Sequence, residues 1–163
     1  MTLPELEVVE VPEAERGRLL PILDESFEGL YLWHARRTLQ SIETVRAART
    51  SEGEDAGVLM MKMLGDGAGY VYYVAVARRW RRRGVAGRLL DDAVSHLTKG
   101  GAHDIFASVE EENEGSKALF DSRGFEKVDM SEMAGKYGRL RALLMYREMM
   151  VVPGEVLLRK GVS

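Results

Sequence analysis

The stretch 70-YVYYVAVARRWRRRGVAGRLL-90 changes character twice in a short span, and the way it does so decides the fold. Tyr70 to Ala77 is rich in aromatic and β-branched residues and apolar on both faces, the pattern of a strand in the middle of a sheet. It stops abruptly at arginines. From Val85 the apolar positions Val85, Leu89, Leu90, Ala93, Val94 and Leu97 fall at helical spacing, and Gly100-Gly101 ends the run. A buried strand therefore passes into a helix through Arg78 to Gly84. The first amides of such a helix have no internal partner, and the helix dipole places about half a positive charge there, so the turn suits a phosphate group. Gly84 frees the backbone there, Ala86 and Gly87 keep the first helical turn nearly bare, and Arg81, Arg82, Arg83 and Arg88 supply positive charge around it.

Outward from this stretch, His103 to Val109 reads as a second buried strand, Asn113 to Arg123 as a short helix closed by Gly124, and Phe125 to Asp129 as a third strand. Upstream, Leu6 to Val11 is a short strand ended by Pro12. Glu13 to Phe27 is one irregular helix or two short ones, since Gly17 and Pro21 interrupt its apolar stripe. Tyr31 to Ser41 is a further helix. Thr44 to Thr50 and Ala56 to Leu64 flank the polar SEGED turn as antiparallel strands, and Gly65 to Gly69 forms the next turn. Lys136 to Val151 spaces Tyr137, Leu140, Leu143, Leu144 and Met150 as one helix, with Met145, Met149 and Met150 filling core gaps. Glu155 to Arg159 closes the chain as a strand. These elements make an α/β sandwich around one mixed sheet, a single domain over residues 1–163, with no repeat or linker.

Composition narrows the function. The 163 residues carry 23 Lys and Arg against 26 Asp and Glu, a net charge of −3, so any anion site is local and a nucleic-acid partner is not expected. No cysteine is present, which removes disulfides and thiolate catalysis. The three histidines show no metal-ligand spacing, and no metal is expected. No apolar run reaches the roughly 18 residues that a membrane helix needs, and the acidic amino-terminal stretch MTLPELEVVEVPEAE lacks a signal peptide's features; a cytoplasmic protein with no membrane partner is the expectation.

The arginine-glycine turn resembles the cofactor motif of the GNAT N-acetyltransferase superfamily, R/Q-x-x-G-x-G/A after a central strand, at Arg81, Gly84 and Ala86. Val76, Trp80 and Leu89-Leu90 also fit. A second signature of that family, N-x-x-A-x-x-L-Y-x-x-x-G-F, is similar to 113-NEGSKALFDSRGF-125. The two together cover Tyr70 to Phe125. The resemblance implies a mixed, mostly antiparallel central sheet of about six to seven strands flanked by helices, here with an extra helix between the last two strands. It implies acetyl-CoA as co-substrate, with the pyrophosphate on the amides of Arg81, Arg82, Arg83, Gly84, Val85, Ala86 and Gly87, near Arg88. The pantetheine arm would run along Val74, Ala75 and Val76, with Asn113, Ser116 and Phe120 on the cofactor side. The reaction implied is direct attack of a primary amine, of a small molecule or a protein, on the thioester.

Two positions depart from the family pattern. Phe120 stands where many members have a tyrosine that protonates the leaving thiolate, and no glutamate base lies in Tyr70 to Ala77. Tyr72 and Tyr73 are the candidates left to assist. An acceptor amine of pKa about 8 needs less help than a lysine of about 10.4, because far more of it is neutral at pH 7. The alternative to an enzyme is a CoA-binding or sensing module of the same fold. Asn113 also reads simply as a helix cap. The long connection 129–155 is the candidate acceptor lid, and its alternative is a helix packed on the sheet that contributes to stability or to a homodimer surface.

Overall fold

The computed structural model describes residues 5–162, so the first four residues of the acidic amino-terminal stretch lie outside it. In chain order the elements are β1 (Leu6–Glu10), a 3-10 segment (Glu13–Leu19), α1 (Leu20–Ser26), α2 (Gly29–Ser41), β2 (Thr44–Thr50), β3 (Asp55–Gly65) and β4 (Ala68–Val76). A second 3-10 segment (Arg78–Trp80) leads to α3 (Val85–Lys99), β5 (Asp104–Glu110), α4 (Glu114–Ser122), β6 (Glu126–Lys127), α5 (Met130–Tyr137), α6 (Arg139–Glu148) and β7 (Glu155–Gly161).

The strands form one seven-stranded sheet in the order β1-β2-β3-β4-β5-β7-β6. Pairing is antiparallel for β1 with β2, β2 with β3, β5 with β7 and β6 with β7, and parallel for β4 with β5. This is the mixed sheet expected from the sequence, and the apolar Tyr70–Val76 run does take its centre. The turn before β4 is tighter than Gly65 to Gly69. Only Asp66 (φ 52) and Gly67 (φ 73) form it, the two left-handed residues of a hairpin that matches strand twist, and Ala68 already belongs to β4.

The chain divides into two compact units, residues 5–62 with Tyr73–His96, and Met63–Tyr72 with residues 97–162. In the first, α3 lies so close to the sheet that a Cβ on Gly57 would meet Leu89 Cδ1 at 2.9 Å and the Ala75 carbonyl at 3.1 Å. Only glycine permits that approach. Arg46 of β2 grips Asp92 of α3 with two parallel hydrogen bonds of 2.8 and 2.9 Å, a fork geometry that fixes helix against strand. Pro21 opens α1 at a position where its missing N–H costs nothing, and of the two forms expected for Glu13 to Phe27 the chain takes the divided one, a 3-10 segment and α1.

In the second unit the core gathers Leu64, Ala68, Tyr70, Phe106, Val128, Met133, Ala142, Met145, Met149 and Leu157. Beneath it Asp104, almost fully buried, accepts from Lys136 Nζ at 2.5 Å, from Arg159 Nη1 at 2.6 Å and from the Tyr137 hydroxyl. Burial alone would raise its pKa, but the hydrogen bonds from Lys136, Tyr137 and Arg159 outweigh burial and hold the carboxyl below its ordinary value.

Three local expectations are corrected here. The single helix over Lys136 to Val151 is two helices, because Gly138 at φ 86, ψ 154 has a backbone shape open only to glycine and ends α5 as it starts α6. Leu140, Leu143 and Leu144 face solvent, 72%, 57% and 46% exposed, while Ala142, Met145 and Met149 turn inward; Met150, at φ 56, is exposed as well. The Phe125 to Asp129 strand shrinks to Glu126–Lys127, since Asp129 caps α5 by accepting from the Glu132 amide at 2.8 Å.

Candidate functional site

In the first unit β4 ends at Val76, the backbone makes one 3-10 turn over Arg78–Trp80, and α3 begins at Val85. Trp80 anchors the turn. Its ring is buried, its Nε1 donates to Glu54 Oε1 at 3.1 Å, and the guanidiniums of Arg79 and Arg83 each lie 5.4 Å from its centroid. Between Trp80 and the helix, Arg82 takes φ 62 and Gly84 φ 78. A non-glycine residue in the left-handed region costs on the order of 1–2 kcal/mol, so Arg82 marks a place where the chain holds strain. Gly84 matters for its φ and not for space, because nothing lies within 4 Å of where its Cβ would be.

The Arg81 amide closes the 3-10 turn on the Arg78 carbonyl at 3.3 Å, and the Arg88 amide opens the helical ladder on the Gly84 carbonyl at 3.1 Å. Among the described residues the amides from Arg82 through Gly87 donate to no carbonyl. That row of open donors at the start of a 15-residue helix has the chemistry to receive an anion.

The arginines divide by role. Arg81, though exposed, is not loose charge around those amides. Its Nε donates to the Val76 carbonyl at 3.0 Å, and its Nη2 donates to the Glu25 carbonyl at 3.1 Å and to Ser26 Oγ at 3.3 Å. Arg83 leans on Trp80. Arg82 and Arg88 are exposed, and Arg88 lines an open groove with Glu5, Glu7, Arg49, Thr50 and Ser51. Beside the turn, Val74 and Val76 are half-buried and Ala75 is buried. The parallel register of β4 with β5 covers only Ala68–Val71 against Asp104–Ala107.

In the second unit Asn113 caps α4, its Oδ1 accepting from the Ser116 amide at 3.0 Å. The helix-cap reading of Asn113 is thereby met, and Ser116 lies in the first turn of α4. Phe120 is buried edge-on to Phe125, with centroids 5.1 Å apart, so its ring serves the core of this unit. Tyr72 donates its hydroxyl proton to the Glu148 carbonyl at 2.9 Å and stacks edge-on to Tyr70. Burial, and then the charge of Glu148, push its pKa up to about 12. A phenol so engaged offers neither a ready proton nor a basic oxygen at neutral pH. Tyr73, which lies in the first unit, meets Phe27 edge-on at 5.4 Å.

Sequence reasoning did not find Glu25, whose carboxylate Oε2 accepts from the Arg78 amide at 2.7 Å. Nothing in the local sequence pairs a glutamate before Phe27 with a turn some fifty residues on; only the tertiary arrangement does. Among the described residues no group of three or more His, Cys, Asp or Glu side chains is placed to hold a metal ion.

Against known proteins, residues 14–125 match the model of the acetyltransferase (GNAT) family, and the chain belongs to that family. Solved structures share the fold at low identity. An IAA acetyltransferase from Bacillus cereus ATCC 14579 is 17% identical with a TM-score of 0.68, covering 97% of this chain and 100% of its own. A GCN5-related N-acetyltransferase from Kribbella flavida is 19% identical with a TM-score of 0.69, over 96% and 98%. The PaiA N-acetyltransferase from Thermoplasma acidophilum, solved in complex with coenzyme A, is 12% identical with a TM-score of 0.71, over 97% and 99%. No curated protein sequence matches the chain.

Proposed function

We propose that this chain is an acetyl-CoA-dependent N-acetyltransferase acting on a primary amine. The observation that carries the reading is the row of open amides from Arg82 to Gly87 at the start of α3, in a chain of the GNAT family. Those amides receive the pyrophosphate of the cofactor, with Arg82 and Arg88 as screening charge, and the end of β4 beyond its register with β5, Val74 to Val76, receives the pantetheine amides. The neutral amine nitrogen then attacks the thioester carbonyl carbon. The C–S bond breaks, the thiolate takes up a proton, and the new amide loses the proton the amine brought. Positioning is the main catalytic resource, since a near-attack geometry replaces a bimolecular encounter. Coenzyme A's thiol leaves without strong acid help, so Phe120 in place of a hydroxyl lowers the rate without abolishing it. Tyr73 is the remaining tyrosine candidate for assistance, Tyr72 being bound to Glu148.

A second reading is a CoA-binding or sensing module of the same fold, and Phe120 together with the engaged Tyr72 favours it. Thiol release from acetyl-CoA with a panel of amines, from α-amines to polyamines, separates the two. Sustained amine-dependent release supports the enzyme. Tight acetyl-CoA binding with no release on any amine supports the module.

A further inference from the structure

We infer that Arg81 is a positioning residue that couples the cofactor turn to the junction between α1 and α2. This rests on the reading that the Arg82–Gly87 amides hold coenzyme A. The contacts form a clasp within the first unit. From the turn side come the Arg78 amide, onto Glu25 Oε2 at 2.7 Å, and the Arg81 guanidinium, onto the Glu25 carbonyl and Ser26 Oγ. Ser26 has given its own proton to the Ile22 carbonyl at 2.8 Å, so its oxygen is free to accept. The same guanidinium holds the last carbonyl of β4, Val76, so one side chain ties strand end, turn and helix end together. A guanidinium at the carbonyl end of α1 is also favoured by the helix dipole.

Across the junction Arg36 of α2 also donates to Asp24 Oδ1 of α1 at 2.5 Å, an exposed pair that leaves the backbone between them to the clasp. Phe27 and Glu28 are extended, with φ near −131° and −134°, and Gly29 follows at φ 56 before α2 proceeds. Phe27 rests edge-on against Tyr73 of β4. An anion on the turn amides stabilises the strained Arg82 conformation, and through Arg78 and Arg81 that stabilisation reaches Glu25 and Ser26. Coupling of this kind is reciprocal: whatever orders the junction also tightens the cofactor.

The test is amide hydrogen exchange over residues 25–30 with and without saturating coenzyme A, in the wild type, Arg81→Ala, Arg81→Lys and Glu25→Ala. In the wild type, coenzyme A slows junction exchange about tenfold, an ordinary coupling. In Arg81→Ala, still protected in α3 by the cofactor, the junction effect falls below about twofold, and Arg81→Lys restores only part of it. Should Arg81→Ala fail to fold or to bind, Glu25→Ala, which removes the Arg78 half of the clasp and keeps the Arg81 bonds to the residue 25 carbonyl and Ser26, is expected to lose part of the junction effect. Wild type that binds no coenzyme A by calorimetry overturns the functional reading. Wild type that binds it without junction protection, or variants that bind it with full junction protection, overturn the coupling alone.

Discussion

The guanidinium of Arg81 donates to the carbonyl of Val76 at 3.0 Å, so the arginine expected to bathe a phosphate in charge instead closes the turn on the strand that precedes it. In the proposed function the anion-binding work therefore falls to main-chain amides and to Arg82 and Arg88 beyond it. Arg82→Ala with Arg88→Ala is expected to weaken coenzyme A binding about tenfold at low salt and far less at high salt, because exposed charges are screened. Calorimetry across a salt series measures this.

Gly84 stands at φ 78 with open space around it, so a side chain there is resisted by the backbone alone. Gly84→Ala should lower folding stability by about 1 kcal/mol and coenzyme A affinity by more than tenfold, since relieving φ turns the amides away. Thermal melting and calorimetry on the same variant separate the two effects.

At Gly57 the opposite holds: the φ is ordinary and the space is filled. Gly57→Ala pushes a methyl against Leu89 and the Ala75 carbonyl, and should destabilise by about 1–3 kcal/mol. Gly17→Ala, with nothing within 4 Å, is the control and should be near neutral. Chemical denaturation distinguishes them.

Asp104 is a buried carboxylate held by three donors, two of which keep part of their length in solvent. Asp104→Asn should cost about 3 kcal/mol, the lower end for a broken buried pair. Because the folded pKa lies below the unfolded value of about 3.9, this stability is present above that pH and is lost as pH falls through the folded value. The gap between wild type and variant in melting temperature should therefore be steady from pH 7 to about 5 and close in stronger acid.

Tyr72→Phe should lower stability by about 1 kcal/mol through its lost bond to Glu148 and leave the pH profile of turnover unchanged below pH 10. Tyr73→Phe is the informative partner. A change in its pH profile, with Tyr72→Phe silent, gives the assisting role to Tyr73.

Much of the architecture was legible in the sequence because periodicity and punctuation agreed. Val85–Lys99 was found to the residue, since an apolar stripe ran between Gly84 and Gly100-Gly101. The open amides of the turn were legible for the same reason: a strand that ends in arginines and restarts as a helix has to leave them there. What was missed depends on contacts distant in sequence. The pattern 136–151 could not show that Gly138 would take a shape that breaks the helix, nor that Leu140, Leu143 and Leu144 would face out while Met145 and Met149 faced in. The direction of the Arg81 side chain was equally hidden, being set by Glu25 and Ser26 on another helix.

The most direct test of the central claim is calorimetric titration of acetyl-CoA into the folded chain, repeated with dephospho-CoA and with pantetheine. Saturable binding of acetyl-CoA and dephospho-CoA, and its loss with pantetheine, which lacks the pyrophosphate, is the predicted result. Binding of pantetheine as tight as that of acetyl-CoA, or no binding of any of the three, would contradict an amide cradle for the pyrophosphate.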